Sequence, residues 1–171
     1  TFLDSIDGSS SNATRPGASW WRTIPAPTRE PYPDALVGAA IDDLDRAGRK
    51  PAASLVDSTF CSDGIRIPAE GALRTALDRI RGAGALVIAD ELQASLGRLG
   101  QHLWSWERLG AVPDIVTLGK PLGNGEPVGA VVTRREILEE FQARERYFST
   151  FAGNPVVCVA GMAVLDVMDR E

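Results

Sequence analysis

Apolar positions follow two rhythms along this chain. From Asp34, Leu36, Val37, Ala40, Ile41 and Leu44 recur at helical spacing, which predicts a helix with Asp34 as its N-cap and Gly48 as its end. Helices are also predicted over residues 69–81, where Leu73, Ala76, Leu77 and Ile80 share a face before Gly82 and Gly84 stop it, and over residues 134–146 and 155–171. Between them lie short apolar runs at 53–57, 85–89, 114–118 and 128–133, each predicted as a strand. The run at 85–89 is the clearest and closes on Asp90-Glu91; the run at 114–118 closes on Gly119-Lys120. A loop with Gly97 and Gly100 leads into an aromatic segment around Trp104 and Trp106.

Strands that are apolar throughout are covered on both faces, and their alternation with helices marks a parallel sheet. The predicted fold class is therefore α/β: a mostly parallel sheet flanked by helices. Residues 1–34 break both rhythms. They are rich in Ser, Pro, Asn and Gly, so they are expected to be irregular and packed on the body through Trp20 and Trp21, with one domain over 35–171.

Composition narrows the possible functions. The 171 residues are 44 % apolar and 24 % charged, ordinary values for a soluble globular protein. A net charge of −5 without a basic cluster speaks against nucleic acid. No apolar stretch approaches the length of a membrane-spanning helix, and the first residues lack the basic-then-apolar pattern of a secretory signal. Cys61 and Cys158 have no metal-like spacing and are expected to be buried reduced thiols of a cytoplasmic protein. His102 is the only histidine, which excludes a histidine triad and a multi-histidine metal centre. No metal is expected.

The basic residues are Arg except at Lys50 and Lys120. Arginine stays protonated, whereas a lysine amine can form a Schiff base, so a lysine kept on an arginine background is a candidate for chemistry. Lys50 follows Arg49 in a loop and reads as solvent-facing. Lys120 follows a buried strand. In sheets of this kind ligands gather at the carboxyl ends of the strands, so Asp90 and Lys120 are expected on one edge. Pyridoxal phosphate needs a lysine amine for its aldehyde, a carboxylate beside its ring nitrogen, and N–H and hydroxyl groups for its phosphate. A strand-end acid near a strand-end lysine meets the first two needs. Ile88-Ala89-Asp90-Glu91 could also close the acidic strand of a P-loop ATPase, but the chain has no Gly-x-x-x-x-Gly-Lys-Ser/Thr, and Pro121 follows the lysine.

Three stretches, ALVIADELQASLGRLG, PDIVTLGKPLGNGEPVGAVV and YFSTFAGNPVVCVAGMAVLDV, resemble successive signatures of the class III aminotransferases, a fold-type I family dependent on pyridoxal phosphate. The likeness runs in order from about residue 53 to the end. It implies part of the family's large cofactor-binding domain, with Lys120 forming the Schiff base and shuttling the proton at the substrate α-carbon. It implies Asp90 at the pyridine nitrogen and Gln93 on the side of the ring's phenolic oxygen. Thr150 would bind the cofactor phosphate across a dimer interface, so a symmetric homodimer is implied. The implied reaction moves an amino group between an amine or amino acid and a keto acid.

Some positions depart from the family. Ser95-Leu96-Gly97-Arg98-Leu99-Gly100 stands for the usual Gly-Phe-Gly-Arg-Thr-Gly, Ala152-Gly153-Asn154-Pro155 for Gly-Gly-Asn-Pro, and Asp57-Ser58 for Glu-Pro. The stretch from Asp57 to Gly64 and Gly119-Lys120-Pro121 look more like the branch of phospho-lyases acting on amino-alcohol phosphates. Family members are more than twice this length, which implies a piece of the large domain without the small domain and its substrate-carboxylate arginine. Three readings follow: aminotransferase, phospho-lyase, or a non-catalytic truncated domain. Glu91 is expected to be structural, pairing with Arg98, and the tryptophans to be packing residues.

Overall fold

The computed structural model describes residues 20–27, Tyr32 and residues 34–170. Four strands form one sheet in the order β1 (Ala53–Asp57), β2 (Leu86–Asp90), β3 (Ile115–Leu118) and β4 (Ala130–Thr133). The first three are parallel and β4 is antiparallel to β3. The mostly parallel α/β sheet expected from the apolar runs is present. Four α-helices accompany it: α1 (Asp34–Arg46), α2 (Arg74–Gly82), α3 (Arg135–Arg144) and α4 (Pro155–Met168).

Helices α1 and α2 pack together on the half of the sheet where β2 is central. Their apolar stripes supply Val37, Leu73, Ala76, Leu77 and Ile80, which close on Val87 and Ala89 of β2 and on Leu109. Val87 and Ala89 are fully buried because β2 has neighbours on both edges and a helix over one face. Each large apolar side chain enclosed here contributes about 1.5–3 kcal/mol.

Several boundaries differ from expectation for local reasons. Asp34 is the first residue of α1 rather than its cap, and its carboxylate meets Arg79 of α2 at 2.6 Å. The helix expected from residue 69 begins at Arg74. Gly71 has φ +75° and donates its N–H to Arg108 O at 2.8 Å, so the preceding turn is committed to another loop. Ile24 and the Arg22–Asp43 ion pair tie residues 20–27 to the body; of the two tryptophans expected as its anchor, Trp20 is half exposed and Trp21 is half-buried with its indole nitrogen enclosed. The rest of the irregular segment expected over 1–34 lies outside the described residues.

The edge strands are not covered as a fully buried sheet would be. Leu55 of β1 and Val131 and Val132 of β4 are exposed. Lys50 faces solvent as expected. Neither cysteine is fully buried: both are free thiols, Cys61 half-buried and Cys158 exposed on α4, because the helix face carrying Cys158 has nothing packed on it among the described residues.

Candidate functional site

Asp90 is the last residue of β2, and its register partners are Asp57 on β1 and Thr117 on β3. Lys120 lies three residues past Thr117. Parallel strands end on the same edge, so three chemically active side chains are delivered to one rim by chain direction alone. Asp90 is half-buried and accepts the Leu92 N–H at 3.0 Å, a turn that redirects the chain away from the sheet. Burial pushes its carboxyl above the usual value; the Leu92 N–H opposes that, the Asp57 charge adds to it, and the Lys120 charge opposes it. The Asp57 and Lys120 charges thus bear on Asp90 with opposite sign.

Lys120 opens a short 3-10 turn, Lys120–Gly123, with φ +32°, and its side chain is exposed. Gly119 before it is buried in extended backbone. A β-carbon at Gly119 would collide with the Leu92 side chain, so glycine lets the lysine turn pass close to the turn after Asp90. Behind the lysine, helix α4 rests on the turn: a β-carbon at Gly161 would stand 3.8 Å from Leu122 O. The lysine therefore projects from a backbone braced on two sides.

The other two expected residues are placed differently. Gln93 lies in the turn after Asp90 and is exposed. Thr150 is exposed in the segment before α4, and among the described residues no hydrogen bond joins it to Asp90, Gln93 or Lys120. Nor does Thr150 cap α4. Asn154 does, accepting from Val156 N at 3.1 Å and Val157 N at 3.3 Å.

Two features escape a reading of the sequence. Glu91 does not pair with Arg98. It is wholly buried and accepts Ser105 N at 3.0 Å, Ser105 Oγ at 2.5 Å and Trp106 N at 2.7 Å, while the Ser105 hydroxyl also bonds Ser58. Burial raises its carboxyl, against the pull of those three donors. The buried acid locks the 3-10 turn Ser105–Leu109 under the end of β2 and so braces Asp90 from behind. Asp57 is the second feature. Its carboxylate accepts Thr59 N, Thr59 Oγ1, Cys61 N and Cys61 Sγ, each at 2.8 Å. The only signal for it in the sequence is the acid closing an apolar run, as at Asp90.

These residues fit pyridoxal phosphate. The half-buried Asp90 offers a carboxylate whose proton affinity burial raises, and Lys120 is an exposed amine on the same rim.

Comparison with known proteins places the chain in a family. The family model described as "Aminotransferase class-III" matches residues 24–171. The alanine–glyoxylate aminotransferase 2-like protein of Drosophila melanogaster is 40 % identical over 153 residues, covering 84 % of this chain and 31 % of that protein. A phospholyase from Arthrobacter, solved with phosphoethanolamine, is 45 % identical with a TM-score of 0.74, over 80 % of this chain and 32 % of that one. The ornithine aminotransferase of Toxoplasma gondii, solved with partial occupancy of pyridoxal phosphate at its active site, is 32 % identical with a TM-score of 0.67, over 78 % of this chain and 31 % of that one. The chain spans about a third of the length of these relatives. It belongs to the class III aminotransferases, a family dependent on pyridoxal phosphate.

Proposed function

We propose that the protein containing this chain moves an amino group between an amine or amino acid and a keto acid, with Lys120 holding the cofactor and Asp90 facing its ring nitrogen. The observation that carries this is the placement of Asp90 at the end of β2 and of Lys120 just past the end of the adjacent parallel strand β3. Pyridoxal phosphate supplies an aldehyde and an electron-withdrawing ring. The chain supplies the rest. The Lys120 amine binds the aldehyde and, once displaced by substrate, carries the proton removed from the α-carbon. The Asp90 carboxylate accepts the ring N–H, and its burial strengthens that acceptor. Gln93 flanks the ring's oxygen side. Thr150 holds the phosphate of a neighbouring subunit in a homodimer, a role its exposed position leaves open to a partner.

Mixing the protein with pyridoxal phosphate should give the visible absorbance of a lysine-bound cofactor, and Lys120→Ala should abolish it. Retention of that absorbance in Lys120→Ala would remove the lysine from its role. No absorbance in this chain, with absorbance in the full-length protein, would mark the chain alone as a non-catalytic domain.

A second reading has its own support. The likeness to the Arthrobacter phospholyase and Asp57-Ser58 in place of Glu-Pro favour elimination of phosphate from an amino-alcohol phosphate. Inorganic phosphate released from phosphoethanolamine by the full-length protein would establish that reading; amino transfer to a keto acid without phosphate release would exclude it.

A further inference from the structure

Asp57 and Asp90 are direct register partners on adjacent parallel strands, so their side chains leave the same face of the sheet. Two carboxylates side by side at a strand rim need an explanation, because like charges repel. Asp57 is held by four donors, and all four are neutral: two backbone N–H groups, a hydroxyl and a thiol. Among the described residues it has no ion pair, so its charge is oriented but not neutralised. The turn that supplies the donors is specific. Phe60 adopts φ +46°, which folds Cys61 back so that both its N–H and its thiol reach Asp57 Oδ2.

We propose that Asp57 is a positioning residue acting through Asp90: anchored by Thr59 and Cys61, its carboxylate sets the negative potential at the carboxylate that faces the cofactor's ring nitrogen. This rests on the cofactor reading above. The charged groups around Asp90 are Asp57 from β1, Lys120 from beyond β3 and Glu91 next in the chain, the last engaged by Ser105 and Trp106. Asp57 and Lys120 act on Asp90 with opposite sign from opposite sides. Burial pushes the Asp57 carboxyl up, but the bonds from Cys61 and Thr59 outweigh it and hold the group ionised. Burial and the bond to Asp57 both raise the Cys61 thiol, so Cys61 stays protonated and serves as a donor rather than a nucleophile.

The test is carbon-13 NMR of the aspartate carboxyls in the full-length protein prepared free of cofactor. In Asp57→Asn, which keeps an acceptor for the turn, the titration midpoint of Asp90 should fall by about one pH unit. Asp57→Glu, which restores the charge, should return it, and Cys61→Ser, which keeps a donor, should leave it unchanged. Coupling is reciprocal, so Asp90→Asn should lower the midpoint of Asp57; this arm stands even if Asp57→Asn does not fold. With cofactor bound, Asp57→Asn should lower the pH at which the ring nitrogen loses its proton, read in the visible spectrum. Unmoved midpoints in both single variants would overturn the proposal. The two readings fail separately. Cofactor absorbance surviving in Lys120→Ala would sink the cofactor role but not the carboxylate coupling, which is measured without cofactor.

Discussion

Residues 37–109 and residues 130–168 are both rich in apolar side chains, and they bury them very differently. In the first region α1, α2 and β2 close on one another, and Val37, Leu77, Val87 and Leu109 are nearly inaccessible. In the second, Val131, Phe141, Phe148, Phe151, Val159 and Met162 are exposed, and α4 buries only Val157 and Gly161. An apolar stripe specifies that a face wants cover; it does not specify what provides it. The α1, α2 and β2 core of the first region finds its cover within the chain, although Leu55, Ile65, Ile67 and Leu103 of that region stay exposed. The second does not find it among the described residues, in a chain that spans about a third of its relatives. The rim that carries Asp57, Asp90 and Lys120 runs from the first region toward the second, with Asp90 on the closed side and Lys120 on the side braced by α4.

Substitutions can break this comparison. Leu77→Ala should lower the unfolding free energy of this chain by about 3–4 kcal/mol through the cavity it leaves. Val159→Ala should change it by less than about 0.5 kcal/mol, because an exposed side chain leaves none. Both are read by denaturant unfolding, and equal losses would end the distinction. Glu91→Ala should cost about 2–3 kcal/mol, since Ser105 N and Trp106 N lose their buried acceptor. Glu91→Gln, which keeps one acceptor oxygen, should cost less. Were the two equal, packing rather than hydrogen bonding would be the role of Glu91. In the open region, Asn154→Ala should cost about 1 kcal/mol, seen as fraying of α4 by circular dichroism, because Val156 N and Val157 N lose their cap.

The smallest expected effect is a pH dependence. The Asp57 carboxyl is held below its usual 3.8 in the fold, so it stabilises the fold at pH values above 3.8. That contribution is lost as pH falls through the folded value. The stability difference between the wild type and Asp57→Asn should therefore shrink on acidification below 3.8. A difference that grew in acid would show that the four donors do not favour the charged form.

Much of the fold was legible because its signals are local. The runs ending at Asp57, Asp90 and Leu118 are short, apolar and punctuated by acids or glycine, and each is a strand. Lys120 and Asp90 could be placed on one rim because parallel strands all end on the same side. Glu91 was misassigned to Arg98 for the opposite reason. A nearby opposite charge is the obvious partner in a sequence, whereas the donors that hold Glu91 are the backbone N–H groups and a hydroxyl of residues 105 and 106. Backbone donors carry no signature in a sequence. The start of α2 failed likewise, because the Gly71 N–H is taken by Arg108 O, far along the chain.

The sequence by itself determined the alternation of strands and helices, the strand ends that bear Asp90 and Lys120, and the ordered motifs of the family. These rest on periodicity, chain direction and residue chemistry, which neighbours in the chain specify. Tertiary structure alone decided that Asp57 stands beside Asp90, that neutral donors keep its charge uncompensated, and that a buried Glu91 braces the same strand end. Register and burial arise between segments distant in sequence, and a carboxylate's proton affinity follows from what those segments bring to it.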